Sequence, residues 1–472
     1  MAQHSKSAYQ LIEHDYYDVE TIQNEHKAAI ISEVESNPLL TTTAKLLPVI
    51  NWQILKQLRD AKVYAPRWID TIMAEKVLKE VEDQTRICVY GCVVKTGSML
   101  GDNFSSAIYR AYTRYTKAYE NEMNTMTMIF KVPPLNGKCI KNEVSKDGQL
   151  FAKELFMYST VVPAMENLLG TVKDKTVFGP RLLYNCGDPV GLVFEDIKER
   201  GYYMSYKLIN LQTAELVFTK LAKWHASSVI AAEQVPKIKN LTKNFVDIGN
   251  DHYKTIWQAT IQKLSEILAT WPEYEKYANV IAKFKEPIFE KLRHIFDPAS
   301  SIFCNVLNHG DCHNRNMMFK DGDGKIEDIL FYDYQLSVWG TPAIDIIYVL
   351  YNSCSCETRD DHRDQLIKLY YDEFVTTLKK LGYKDKIPSL LNLRMEILRC
   401  GHFESFLACT FLPFMMSSFE ELIIIGGASP TELASKPERM DDVRNYFFQK
   451  NDYVKVIQRY LPVFLNQGLF DL

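Results

Sequence analysis

The stretch from His309 to Gln335 constrains this chain more than any other. It reads His309-Gly310-Asp311-Cys312-His313-Asn314-Arg315-Asn316, then a hairpin, then Phe331-Tyr332-Asp333-Tyr334-Gln335. Asp311 and Asn316 lie five apart in an irregular loop, so both side chains can reach one pocket. The apolar run from Asp328 to Tyr332 delivers Asp333 to the same place on a strand. One carboxylate beside a substrate hydroxyl, with a second carboxylate and an amide around a hard cation, is the division of labour that phosphoryl transfer requires. The same letters also suit an ordinary loop, because Gly, Asp and Asn all satisfy turn geometry. The second acid favours chemistry, since an unpaired Asp in an apolar strand is costly unless something binds it. The turn Asp321-Gly322-Asp323-Gly324 is not a calcium loop: Lys325 and Ile326 stand where a ligand and a Gly belong, and Tyr332 where the bidentate Glu belongs.

Composition narrows the class. The chain has 472 residues, 47% hydrophobic and 24% charged, enough for two or three domain-sized lobes. A net charge of −4 points to neither nucleic acid nor an anionic membrane surface. No apolar run reaches the roughly 18–20 residues that span a bilayer, and the start, Met1 to Lys6, leads into charged residues, so no secretory leader is expected. The ten cysteines are scattered without paired zinc knuckles, and a cytoplasmic chain with reduced thiols is the expectation. Cys354 and Cys356 read as two small buried residues, and Cys312, inside the key loop, is the one expected to be chemically sensitive.

Residues 1 to about 60 form an extension of unspecified order. One amphipathic helix is expected from Pro66 to Glu82, followed by strands at Arg86–Val94, Ser105–Tyr115 and Met126–Val132. The loop from Gly97 to Ser106 includes Gly101, Asn103 and Ser105, small and polar residues that let backbone amides approach phosphates, although hairpins use the same residues. Lys131 closes the third strand. A helix with Phe151, Leu155, Tyr158 and Val162 on one stripe carries Glu154 and is expected to stop near Pro163. A Lys131–Glu154 pair would fix an ammonium where it can hold nucleotide phosphates. Two more strands, Gly179–Tyr184 and Gly191–Phe194, complete a five-stranded sheet and end in Glu195-Asp196-Ile197, a linker where a nucleotide base can meet backbone groups.

From Gln212 the chain turns helical. His225, in the run Leu221 to Ala226, reads as a hydrogen-bonded structural histidine. Residues 243–298 are helical with breaks near Pro272 and Pro287, and at least three more helices follow residue 360. Asp345, flanked by apolar residues, is expected to be half-buried and to brace the loop at His309. His362-Arg363-Asp364 spells a kinase triplet, but Leu369 stands where a metal-binding Asn is needed, so it reads as a solvated helical face. Phe403, Phe406, Phe411, Phe414, Met415 and Met416 suit either an apolar acceptor cavity or a helical core, and the core reading is preferred.

With these residues in hand, the chain resembles the ecdysteroid kinase-like family, a branch of the choline kinase and aminoglycoside phosphotransferase group with a protein-kinase-like fold. The resemblance runs from about Pro66 to the C-terminus. It rests on Gly101 to Ser106 with Tyr109-Arg110; Phe151, Glu154, Tyr158 and Pro163; Val193 to Asp196; Leu221 to Ala226; His309-Gly310-Asp311 with Asn316; and Asp333-Tyr334-Gln335 with Pro342 to Asp345. It implies Asp311 as catalytic aspartate, Asn316 and Asp333 as magnesium ligands, Lys131 and Glu154 as the phosphate-holding pair, and His309 and Asp345 as structural support. Gly101, Asn103, Ser105 and Glu195 join the nucleotide site in this reading. Tyr334 stands where Phe is usual, and Cys312-His313 replace residues more often Leu or Trp, but no catalytic position is lost.

The expected architecture is α+β and two-lobed: a small antiparallel-sheet N-lobe binding nucleotide over residues 61–196, and a mainly helical C-lobe with catalytic loop and acceptor site over 197–472. The expected function is ATP- and Mg2+-dependent phosphorylation of a hydroxyl on a small molecule, with an ecdysteroid or other steroid alcohol implied by the family. A kinase for choline-like polar metabolites and a non-catalytic nucleotide- or sterol-binding protein of the same fold are the alternatives. No nucleic acid and no membrane insertion are expected, and no oligomeric state is predicted.

Overall fold

A computed structural model describes residues 65–97, 106–117, 122–133, 144–244, 246, 251–426 and 437–471. Helix α1 (Thr71–Val81) begins where the Asp70 side chain accepts hydrogen bonds from the amides of Ile72 and Met73, both at 2.9 Å. Its buried face, Met73, Ala74, Val77 and Leu78, lies on an antiparallel sheet. The strands are β1 (Ile87–Thr96), β2 (Ala107–Lys117), β3 (Asn124–Val132), β4 (Leu182–Asn185) and β5 (Leu192–Glu195), in the order β1-β2-β3-β5-β4. Alternation in β2 is clean: Tyr109, Ala111, Thr113 and Tyr115 are buried on one face. The register sets Lys131 opposite Ile108 on one side and Leu192 on the other, at the end of a central strand.

Helix α2 (Val144–Phe156) does not stop near Pro163. It passes through a π turn, Met157–Val161, into α3 (Val162–Thr171), with Pro163 in the first turn of the new segment. The amide of Val162 reaches back five residues to the Met157 carbonyl, and a proline in a first turn removes an N–H that needs no helical partner. Tyr158, Val161, Val162, Met165 and Leu169 bury in the main core.

A short helical turn, Ile197–Arg200, capped by Asp196, leads away from the sheet. The remainder is largely helical. Helix α4 (Leu211–Gln234) buries Val217, Phe218, Leu221, Trp224 and His225. The predicted helical region resolves into α5 (Asp251–Leu268), α6 (Glu275–Phe284) and α7 (Ile288–Phe296). Two small sheets carry the central loop: β6 (Tyr202–Met204), β8 (Met317–Gly322) and β9 (Lys325–Phe331) in the order β6-β8-β9, and β7 (Val306–Asn308) paired with β10 (Val338–Gly340). Eight helices end the described chain: α8 (Ala343–Asn352), α9 (Cys356–Lys380), α10 (Leu390–Arg399), α11 (Gly401–Cys409), α12 (Leu412–Met415), α13 (Phe419–Gly426), α14 (Pro437–Phe448) and α15 (Asn451–Asn466). The result is the expected two-lobed α+β architecture. Among the described residues, no helix is long and apolar enough to cross a membrane.

Candidate active site

The loop after β7 begins with a position only glycine can fill. Gly310 has φ +81°, and a Cβ there would stand 2.1 Å from the Leu336 carbonyl oxygen. Asp345, in the first turn of α8, holds this turn: its carboxylate accepts the amides of His309 at 2.6 Å and Gly310 at 3.0 Å. It also accepts Nε2–H of His225 at 3.2 Å, which leaves the His225 Nδ1 to accept the Tyr370 hydroxyl at 2.7 Å. Burial lowers the His225 pKa against the pull of Asp345, so the ring is neutral. Asp345 is fully buried, not half-buried, because these donors replace the water it would otherwise need. The His309 Nε2–H donates to the Tyr332 carbonyl at 2.9 Å, tying the loop to the chain leaving β9.

Asp311 directly follows Gly310, and its side chain is 20% exposed. One oxygen accepts the Tyr348 hydroxyl at 2.7 Å and lies 3.4 Å from Nε2 of His313; the other accepts the Asn316 amide at 2.9 Å. The Asn316 nitrogen also donates to the Asp311 carbonyl at 3.0 Å, so its oxygen faces away from Asp311. Burial would push the Asp311 carboxyl up, but His313, Tyr348 and His309 outweigh it and hold the pKa down at about 2. Tyr348 is a site residue that the sequence reading missed. Its one signal is that it follows Asp345 by three on the same helix, which sets both on one face.

Lys131 reaches across from the sheet. Its ammonium donates to Glu154 at 2.8 Å and to Asp333 at 2.8 Å, nearly buried in both contacts. Asp333 lies two residues past the end of β9 instead of on it, in the left-handed region at φ +66°. Tyr334 locks that conformation by stacking on Trp224 with centroids 5.0 Å apart and donating to the Phe331 carbonyl at 3.0 Å. Gly179 makes room, since a Cβ there would meet both the Phe331 oxygen and the Tyr334 hydroxyl at 2.6 Å.

Two carboxylates share one ammonium in this cluster. Burial lowers the Lys131 pKa, but Asp333 and Glu154 raise it further, so the lysine stays charged. Burial, helped by the Asp333 charge, raises Glu154 against the pull of Lys131. Two carboxylates about one ammonium are hard oxygen donors of the kind a divalent cation takes, although among the described residues no group of three or more His, Cys, Asp or Glu side chains gathers to hold a metal.

At the end of β5, the Glu195 carboxylate accepts the Arg181 amide at 2.9 Å and Arg200 at 3.1 Å. The neighbouring Asp196 binds Arg110 of β2 at 2.6 Å, fastening the sheet to the linker. Gly101, Asn103 and Ser105 lie outside the described residues.

Two further expectations change, and one holds. Cys312 is 1% exposed and its thiol pKa is pushed well up by burial, so it is an inert core group. Arg363 of the decoy triplet is drawn inward to the Glu404 carboxylate instead of lying on a solvated face. Phe403, Phe406 and Met415 are buried core, Phe411 and Met416 pack against it partly buried, and Phe414 packs on Phe447 with centroids 5.3 Å apart, as the core reading has it.

A sequence model of ecdysteroid kinase-like proteins matches residues 100–383, more than half the chain. The chain belongs to the ecdysteroid kinase-like family. The match is shorter than the resemblance read from the sequence, and the helices past residue 383 lie beyond it. No curated protein matches the chain. Solved structures similar to this family member include an ethanolamine kinase of Plasmodium vivax, at 13% identity over 84% of this chain and 95% of that one, with a TM-score of 0.35. A spectinomycin phosphotransferase in complex with ADP and spectinomycin is 10% identical over 80% and 100%, TM-score 0.34. An aminoglycoside phosphotransferase in complex with GDP is 11% identical over 79% and 99%, TM-score 0.32.

Proposed function

We propose that this chain is an ATP- and Mg2+-dependent kinase that phosphorylates a hydroxyl group of a small molecule. The observation that carries the reading is the Lys131 ammonium held at 2.8 Å by both Glu154 and Asp333, beside a separate Asp311 whose oxygens accept the Tyr348 hydroxyl and the Asn316 amide and lie 3.4 Å from His313. Lys131 would hold the nucleotide phosphates, and Asn316 and Asp333 would hold Mg2+, which supplies charge neutralisation for the transferring phosphoryl group. Glu195 and the strand end carrying it would meet the nucleotide base, with the loop at Gly101, Asn103 and Ser105 over the phosphates. His309 and Asp345 support the loop.

Asp311 orients the acceptor. A carboxylate held near pKa 2 is a weak base toward an alcohol, so it fixes the hydroxyl as a hydrogen-bond acceptor and takes the proton only as the new bond forms. The acceptor is inferred to be an alcohol, with a steroid the candidate that membership of the ecdysteroid kinase-like family suggests. The lobes are taken as residues 61–196 and 197–472. Nine described cysteines are free thiols, which supports a reducing compartment such as the cytoplasm.

The test is mass spectrometry of products after incubating the purified protein with Mg2+, ATP and a panel of hydroxylated small molecules, steroids and choline included, with Asp311→Asn in parallel. A phosphate-sized mass gain on one acceptor that disappears in the variant is the expected result. ATP binding with no transfer to any acceptor would contradict the kinase reading and favour a binding protein.

A further inference from the structure

One residue of the catalytic loop faces away from the candidate site and holds a distant part of the chain. Arg315 immediately precedes Asn316, and its guanidinium donates to the carbonyls of Phe414, at 2.8 Å, and Ser417. Phe414 lies in the last turn of the short helix α12 and Ser417 two residues past its end; the Phe414 carbonyl also accepts the Ser417 amide at 3.2 Å, so the guanidinium closes over a turn that already holds itself together. The guanidinium also sits over the Tyr206 ring, 5.8 Å from its centroid, and the Tyr332 hydroxyl donates to the Arg315 carbonyl.

The helix that Arg315 grips touches the other half of the site as well. Phe411, just before α12, packs on Tyr348 with centroids 6.1 Å apart, and Tyr348 is the donor to Asp311. Behind α12 the anchor is buried. Lys450 donates to the Ser417 hydroxyl at 3.3 Å and to Glu421 at 2.8 Å, and Glu421 accepts the Ser418 amide at 2.7 Å. These contacts run from Asn316 and Asp311 to residue 450, whereas the family match ends at 383.

We propose that Arg315 is a positioning residue that sets the loop bearing Asp311 and Asn316 against the C-terminal helical segment, making residues 411–421 and Lys450 part of the phosphotransfer unit. This rests on the kinase reading. Arg315 touches neither reactant: it fixes the height of Asn316 relative to Asp333 through the adjacent backbone, and a loop displaced by a fraction of an ångström transfers poorly. One guanidinium nitrogen, Nη2, serves both carbonyls, and the planar guanidinium also lies over the Tyr206 ring, a combination an ammonium does not reproduce.

The test pairs kinetics with native-state amide exchange on full-length wild type, Arg315→Met and Arg315→Lys. Methionine keeps the stem and removes every donor; lysine keeps the charge and some donors. For Arg315→Met, kcat falls roughly tenfold or more while KM for ATP stays within about twofold, and Arg315→Lys recovers part of the loss. Exchange in Arg315→Met accelerates both at 309–317 and at 412–422, leaving the strand 87–96 unchanged. Faster exchange confined to 412–422, with kcat and the 309–317 loop unaltered, would overturn the proposal and leave Arg315 as a helix-end contact only. If wild type transfers phosphate to no acceptor, the kinase reading fails, and the exchange pattern alone still decides whether the loop and the C-terminal segment are coupled. Should Arg315→Met not fold, Arg315→Lys carries the same comparison with smaller shifts.

Discussion

Two aspartates serve one loop and are built differently. Asp345 is fully buried, and its carboxylate is filled by two backbone amides and an imidazole. Asp311 keeps 20% of its side chain exposed, and its partners are a phenol, a side-chain amide and a second histidine. Backbone amides of a locked turn cannot move aside, which suits Asp345 to the scaffold role proposed for it. Side-chain donors can give way to an incoming hydroxyl, which suits Asp311 to the proposed chemistry. Burial and the kind of donor are where the two acids differ.

The largest expected loss of stability falls outside both acids. Lys131→Met leaves the Glu154 and Asp333 carboxylates in one buried place with no cation, and removing one partner of a buried pair costs about 3–5 kcal/mol. Thermal denaturation should show that loss, and turnover should fall by roughly 10²–10³-fold as a phosphate-facing donor disappears. Asp345→Asn comes next. It puts an amide N–H2 where the turn presents N–H groups, which costs about 2–3 kcal/mol by urea denaturation and loosens Gly310.

Acidification probes the scaffold acid through its histidine. The folded His225 pKa lies below its ordinary value of 6.5, so the unfolded chain binds the extra proton first. Stability is therefore fully present above about pH 6.5 and falls as pH drops below it, with a slope approaching ~1.4 kcal/mol per pH unit. His225→Gln, which keeps a donor for Asp345, should flatten that slope between pH 6.5 and 5; an unchanged slope would assign the acid sensitivity elsewhere. The smallest effect belongs to Tyr348→Phe, which removes one hydrogen bond from Asp311. It should cost about 1 kcal/mol, reduce turnover a few-fold, and raise the Asp311 pKa from about 2.

Much of this was legible in the chain itself. Lys131 with Glu154, Asp311 with Asn316, and the brace at Asp345 each follow from a residue type that is expensive where it stands unless something pairs with it. Strand alternation in β2 and the apolar stripe of α1 placed the sheet for the same reason. What could not be read was chosen by tertiary contact. The helix runs past Pro163 because a π turn precedes it, and Asp333 leaves its strand because Tyr334 stacks on Trp224 from another helix. Tyr348 and Arg315 act through partners 37 and 99 residues away, a separation no local pattern encodes. Cys312 looked reactive from its neighbours in sequence and is inert because of its neighbours in space.

The most direct measurement sets Asp311→Asn beside Asp345→Asn, recording for each the melting temperature and, at a temperature where both are folded, phosphate transfer per folded molecule. Asp311→Asn should melt close to wild type and lose transfer by about 10²–10⁴-fold, whereas Asp345→Asn should melt well below it and lose transfer only about tenfold, through the loosened loop. The reverse pattern, with Asp311→Asn destabilised but active, would contradict the assignment of chemistry to Asp311 and scaffold to Asp345.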